Sequence, residues 1–131
     1  MPDATAAALP ALKSGVYPPS APSGSPTGRS SKRLVMGMLP GNIRCEAHVS
    51  TIEPGTPHEA VGTHLHSEIW YVIEGTPTLM TNGVERQMNV GDLGICCAGD
   101  THYIANYSKQ RCSYFVITAG PPEPPPAPAK A

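Results

Sequence analysis

Apolar and polar side chains alternate with a period of two, not 3.6, through most of residues 33–119, the spacing of strands with one covered face. Ile43, Cys45, Ala47, Val49 and Thr51 interleave with Arg44, Glu46, His48 and Ser50. Residues 78–81 and 84–88 flank Asn82-Gly83, the strongest hairpin signal in the chain, because both residues tolerate the left-handed backbone of a two-residue turn. Residues 69–73, 93–97 and 114–118 are short runs rich in β-branched and aromatic side chains. Gly75-Thr76-Pro77, Gly91-Asp92, Gly99-Asp100 and Asn106-Tyr107-Ser108 supply turns between them. No segment carries a helical pattern. About eight short strands at this spacing predict an all-β sandwich or barrel.

Within that pattern residues 69–73, Ile-Trp-Tyr-Val-Ile, are apolar at every position, so both faces of this strand should be covered. One face can look into a barrel. The other needs a second sheet or another subunit, since exposed apolar patches of that size are uncommon on monomers. A homodimer through this sheet is the economical expectation.

Proline marks the ends. Six of the sixteen prolines lie before residue 30 and six more between 121 and 128. Segments so rich in Pro, Ala, Ser and Gly bury too little apolar area to offset the entropy of ordering them. The expected organisation is a flexible N-terminal arm over 1–32, a folded core over 33–119 and a disordered Pro-rich tail over 120–131, with both ends dispensable for folding. The alternative for the arm is that part of it lies across a partner subunit.

A chain of 131 residues is one domain's worth. Nine Lys+Arg against ten Asp+Glu leave no basic stripe to neutralise phosphates, which argues against nucleic acid as a partner. No apolar run approaches the roughly 20 residues of a membrane helix. The N-terminus lacks the charged and apolar regions of a signal peptide, since the Ala-rich stretch 4–12 is short and broken by Pro10; a cytoplasmic location is the default. Cys45, Cys96, Cys97 and Cys112 show none of the paired spacings of a zinc site and read as mostly buried thiols. Cys96 and Cys97, adjacent on an extended strand, should face opposite ways.

All five histidines fall between positions 48 and 102. His64, His66 and Glu68 share strand parity, so along an extended segment they would project from one face. His102, a hairpin away in sequence, can be brought beside them by a neighbouring strand. Imidazole and carboxylate converging in this way suit a divalent first-row metal. His48 and His58 read more simply as solvated or hydrogen-bonded residues. A polar strand face without an ion would account for the 64–68 cluster equally well on spacing alone.

Two motifs decide between these readings. Gly91, Gly99, His102 and Asn106 meet the pattern G-x5-P-x-G-x2-H-x3-N except that Cys97 stands at the proline. Glu68 and Gly75, in EIWYVIEG, fit the end of the pattern H-x-H-x3,4-E-x6-G, and 15 residues separate Gly75 from Gly91. In both motifs the chain resembles the small single-domain cupins. The resemblance implies a double-stranded β-helix, or jelly-roll barrel, holding one divalent transition-metal ion per chain (Fe, Mn, Ni, Cu or Zn). One family histidine is missing: counting back from Glu68, the second falls on His64 and the first on Gly62. Three arrangements follow, in order of expectation. His64, His66, Glu68 and His102 all ligate; His64, Glu68 and His102 ligate and water fills the vacancy; or the site has lost its ion.

The fold hosts many chemistries, so the resemblance implies a place for a site and not a reaction. A metal-dependent enzyme is the first expectation: a dioxygenase if the ion is Fe(II), a lyase or isomerase if it serves as a Lewis acid. Glu68, Tyr103 and Tyr107 are the candidate catalytic residues, with Tyr71 and Cys96 or Cys97 as further acid–base candidates. A non-enzymatic ligand-binding module is the alternative from another class, and a metal-free epimerase-type cupin would use His66 with Glu68 as its base pair. One Trp and one Phe suggest a cavity for a small polar or carboxylated ligand, unless Trp70 and Met80 line it.

Overall fold

The alternation resolves into nine strands in a computed structural model, which describes residues 9–123. In chain order these are β1 (Ser23–Gly24), β2 (Arg29–Leu39), β3 (Ile43–Ile52), β4 (Ser67–Glu74), β5 (Thr78–Thr81), β6 (Val84–Gln87), β7 (Leu93–Cys96), β8 (His102–Ala105) and β9 (Cys112–Gly120). They form a six-stranded sheet in the order β1-β2-β3-β9-β4-β7 and a three-stranded sheet in the order β6-β5-β8. All pairings between the strands are antiparallel. Asn82 and Gly83 take φ of 47° and 83°, the left-handed pair that a tight turn between β5 and β6 requires. The expected all-β jelly-roll barrel is what the chain forms, and no helix occurs among the described residues.

Register fixes which side chains look inward. Glu46, Thr118, Glu68 and Cys96 lie side by side across β3, β9, β4 and β7, and His48, Val116, Trp70 and Gly94 form the next row. The core is built from Ile52, Trp70, Val72, Leu79, Met88, Cys96, Ile104, Cys112, Tyr114 and Val116, contributed by both sheets. On β3, Glu46, His48 and Ser50 share the inward row with Ile52, while Cys45 and Ala47 on the opposite face are buried as well, so both faces of this strand are covered there. Polar side chains in an inward row need polar partners in the interior, which here means a polar cavity. On β4, Trp70 and Val72 are buried, while Tyr71 and Ile73 stand about half exposed on the outer face with Leu93 and Ile95 of β7 beside them.

The ends depart from expectation. Strand β2 begins at Arg29, not at Arg33, and β1 pairs with it through Ser23–Ser31 and Gly24–Ser30. Upstream, the Leu12 amide donates to the Met38 carbonyl and the Met38 amide to the Pro10 carbonyl, both at 2.8 Å. The Ser20 amide reaches the Arg33 carbonyl at the same distance. The arm is not free over the residues described: β2 would otherwise be an unpaired sheet edge, and the arm supplies donors and acceptors to it. Gly37 makes this contact close, since a Cβ there would sit 2.7 Å from the Leu12 side chain. Glu123 is likewise held, as shown below. The expectation of a disordered tail otherwise concerns 124–131, which lie outside the described residues, as do 1–8.

All four cysteines are free; Cys45, Cys96 and Cys112 are buried and Cys97 is exposed. Burial pushes the Cys96 and Cys112 thiols up to about 11. Since the thiolate is the nucleophile, iodoacetamide at neutral pH is expected to label the native protein once, at Cys97, as read by peptide mass. Labelling at Cys96 at a comparable rate would show that the end of β7 opens.

Candidate metal centre

The residues before β4 do not continue as a strand. His64 and His66 lie in a bent segment, and β4 starts only at Ser67, so the parity argument fails for them. What directs this segment is the loop before β8. Gly62 and His102 exchange two backbone hydrogen bonds of 2.9 Å, the Gly99 amide donates to the His64 carbonyl at 2.9 Å, and the Thr63 hydroxyl donates to the Gly99 carbonyl at 3.3 Å. The two motifs are thus zipped together, and His64 comes to His102. Asn106 closes the other side of the second motif. Buried at 3 % exposure, it donates to the Ile52 and Gln110 carbonyls and accepts from the Ser108 amide and hydroxyl.

His64, Glu68 and His102 bring one ligand atom each to within 4.8 Å of one another. His64 Nε2 lies 3.6 Å from Glu68 Oε1 and His102 Nε2 lies 3.5 Å from Glu68 Oε2. Ligands bound at about 2.1 Å to one ion stand roughly 3.0–3.4 Å apart, so small side-chain adjustments would close the set around a cation. Two imidazoles and a carboxylate are the donor set a borderline divalent ion takes. Burial holds the His64 imidazole below its ordinary value despite the nearby Glu68, favouring the neutral form that ligates. Burial alone would raise Glu68, but hydrogen bonds from His102 and His66 outweigh it and keep the carboxyl low. Where the missing histidine would stand, a Cβ on Gly62 would lie 3.4 Å from His64 Nε2 and 3.5 Å from the His102 ring. Gly62 therefore borders the site, close enough that a Cβ there would pack against both rings.

His66 is not brought into the group. Its ring stacks on His64 with centroids 4.5 Å apart, but both nitrogens are taken by carboxylates. Nε2 lies 3.0 Å from Glu68 Oε1 and Nδ1 lies 2.6 Å from Glu123 Oε1. The group that could hold an ion is His64, Glu68 and His102, the protein ligands of the second expected arrangement. His66 orients the Glu68 carboxylate, and Glu123 anchors His66.

His64, Glu68 and His102 form part of the wall of a cavity of about 480 Å³, within the range of small-molecule sites. Trp70 lines it, its ring centroid 5.5 Å from that of His102, so the cavity has an aromatic wall that the composition argued against. Tyr103 also lines it, stacked on His58 at 3.8 Å, but its hydroxyl donates to Glu85 at 3.0 Å. Tyr107 donates to the same oxygen at 2.5 Å and is not part of the cavity wall; Glu85 pushes its hydroxyl well above the ordinary tyrosine range. Neither phenol is presented to His64, Glu68 and His102.

Sequence reasoning missed a different group. His48, read from the sequence as solvated or hydrogen-bonded, is hydrogen-bonded, its Nδ1 2.7 and 2.9 Å from the two oxygens of Glu46, but it also lines the cavity. A carboxylate on Nδ1 fixes the ring and leaves Nε2 for proton transfer. The signal was the shared parity of Glu46, His48 and Ser50. It becomes informative only once that face of β3 is known to be the inner one.

Comparison with known proteins places this geometry. The family model described as Cupin domain matches residues 48–118. No curated protein is matched by the sequence. Among solved structures, an RmlC-like cupin from Shewanella frigidimarina aligns with a TM-score of 0.64 at 17% identity, covering 76% of this chain and 83% of that one. KdgF from Halomonas sp. aligns at 0.62 and 15%, covering 76% and 86%. The DMSP lyase DddQ from Ruegeria pomeroyi aligns at 0.53 and 19%, but this chain covers only 40% of its length against 63% of its own. The structural likenesses are of fold; the family model spans both motifs and more than half of the sequence, and on that ground the chain belongs to the cupin family.

Proposed function

We propose that this cupin is a metal-dependent enzyme of the dioxygenase type acting on a small polar or carboxylated substrate, with one divalent ion held by His64, Glu68 and His102. The observation that carries this reading is the two-histidine, one-carboxylate set on the wall of a ligand-sized cavity. Three protein ligands leave coordination positions free, and Fe(II) in such a set supports the binding of dioxygen beside a substrate. His66 holds the Glu68 carboxylate, and Trp70 bounds the site with an apolar face. The test is oxygen uptake by protein stripped of metal and reloaded anaerobically with Fe(II), across a panel of small carboxylates. Substrate-dependent uptake that Zn(II)-loaded protein lacks is the expected result.

The His48–Glu46 pair favours a second reading, a lyase or isomerase in which the ion polarises a carbonyl or carboxylate and His48 moves the proton. Turnover with Zn, Mn or Ni and no oxygen uptake would select it. Retention of no ion by wild-type protein would leave a small-ligand binding module.

A homodimer is part of the same proposal. Ile69, Tyr71 and Ile73 of β4 with Leu93 and Ile95 of β7 form an apolar strip on the outer face, at the sheet edge that β7 ends. A second copy of the chain would cover it. Light scattering at micromolar concentration is expected to give twice the chain mass of 13.7 kDa, and Ile95→Lys should shift that towards the single-chain value.

A further inference from the structure

Arg29 opens β2 opposite Ile52 and, among the described residues, is the one Arg or Lys lining the cavity that holds His64, Glu68 and His102. Its guanidinium is fixed from the inner wall. Nη1 donates to the Tyr114 hydroxyl and Nη2 to the Ile104 carbonyl, both at 3.3 Å, and the side chain is only 21 % exposed. Burial raises the Tyr114 hydroxyl to about 12, so it stays a neutral partner that does not cancel the charge. Nε is met at 3.1 Å by Glu59, whose side chain is 67 % exposed and belongs to the strandless segment between β3 and β4. A guanidinium has five donors; three are engaged, and its flat fork matches a carboxylate.

The unequal settings of the two partners carry the argument. An ion pair with one partner this exposed adds little to folding, so holding Glu59 is a weak reason to place a cation in a cavity. Arg29, by contrast, is held by partners that leave its charge intact, and it faces the same space as the ion-binding side chains. Glu59 is a carboxylate resting on a carboxylate site. We infer that Arg29 is the carboxylate anchor of this cavity: a small mono- or dicarboxylate displaces Glu59 from it and extends towards His64, Glu68 and His102. The inference rests on the cavity being the substrate site proposed above, and it narrows the substrate class to organic anions.

Trp70, the only tryptophan in the chain, stands in the cavity wall and reports on its contents. The full-length protein, stripped of metal by chelator and dialysed, is titrated with the straight-chain series from formate to glutarate and with succinamide as the neutral control. Trp70 fluorescence and the thermal midpoint are followed. At least one carboxylate should give a saturable fluorescence change and raise the midpoint, and succinamide should give neither. Arg29→Gln should weaken that binding about 10- to 100-fold, the scale of a lost charge-assisted pair. Glu59→Gln, which leaves the Tyr114 and Ile104 contacts in place, should tighten it by removing the internal competitor. No response to any carboxylate, or equal affinities in wild type and both variants, overturns the inference. Because the metal-free protein is used, the anchor and the metal reading can fail separately. Binding only after Zn(II) is restored, unchanged in Arg29→Gln, would assign the carboxylate to the ion and leave the enzyme proposal standing. Arg29-dependent binding by a protein that retains no ion would do the reverse.

Discussion

His102→Ala is expected to leave the protein folded and unable to retain a divalent ion. His102 stands at the start of β8, where its backbone is paired with Gly62, so the substitution removes the ring without disturbing the zipper between the two motifs. Nε2 is 3.5 Å from Glu68 Oε2, and Nδ1 is buried with no hydrogen-bond partner among the described residues. Two protein ligands, His64 and Glu68, would remain, one fewer than the three that catalytic metal sites ordinarily supply. Elemental analysis of untagged protein should fall from near one ion per chain to background, while the thermal transition remains cooperative. His66→Ala is a contrasting case, because His66 touches the site only through Glu68. Its loss, or truncation of 121–131 to remove Glu123, should weaken binding by about 10- to 100-fold, the usual effect of losing the group that orients a ligand. An equal loss of ion from His66→Ala and His102→Ala would restore His66 as a direct ligand. Full metal content in His102→Ala would remove the site altogether.

Gly75→Ala is expected to be the most destabilising single methyl that can be added to the barrel. Gly75 closes β4 with φ of 75°, in the left-handed region. A Cβ built there meets the Arg111 carbonyl oxygen and lies 2.8 Å from Cys112 Cα, both backbone atoms at the start of β9. The pairing of β4 with β9 is already irregular between Val72 and Glu74, so the close approach sits where the strand must bend. Backbone strain and overpacking together suggest a loss of about 2–5 kcal/mol, which lowers the thermal midpoint by roughly 10 °C or more. Gly83→Ala separates the two causes. Gly83 has φ of 83° but nothing within 4 Å of its Cβ position, so only the conformational penalty applies, about 1–2 kcal/mol. Equal melting temperatures for the two variants would show that the 75–112 contact relaxes at no cost.

The glycine also explains why its motif could be recognised without a structure. The left-handed φ at Gly75, Gly91 and Gly99 and the clamp of Asn106 on Ser108 and Gln110 are local requirements, and such requirements leave residue types at fixed spacings. Strand layout was legible for the same reason: period two and the Asn82-Gly83 turn are properties of neighbouring residues. So was the link between Glu68 and His102, since each sits at a defined place in its own motif.

Other features depended on contacts that no local pattern records. His64 and His66 are two positions apart, and spacing treated them alike. The bend before β4 is set by bonds to residues 99–102 and by Glu123, far along the chain, and it sends one ring to the site and the other to orient Glu68. Which face of β3 is the interior was equally undecided, because apolar and polar residues alternate on it. Only the register with β9 turns this row inward, with His48 and Ser50 in the cavity wall and Glu46 on the His48 ring. Arg29 was assigned to a flexible arm on composition, whereas a free edge of β2 pairs the arm and carries Arg29 inside. Composition and periodicity determined the kind of fold and where its turns lie. Side-chain direction at bends, the choice of inner face and the recruitment of the arm and of Glu123 were decided by long-range pairing, because each depends on what the rest of the chain leaves unpaired.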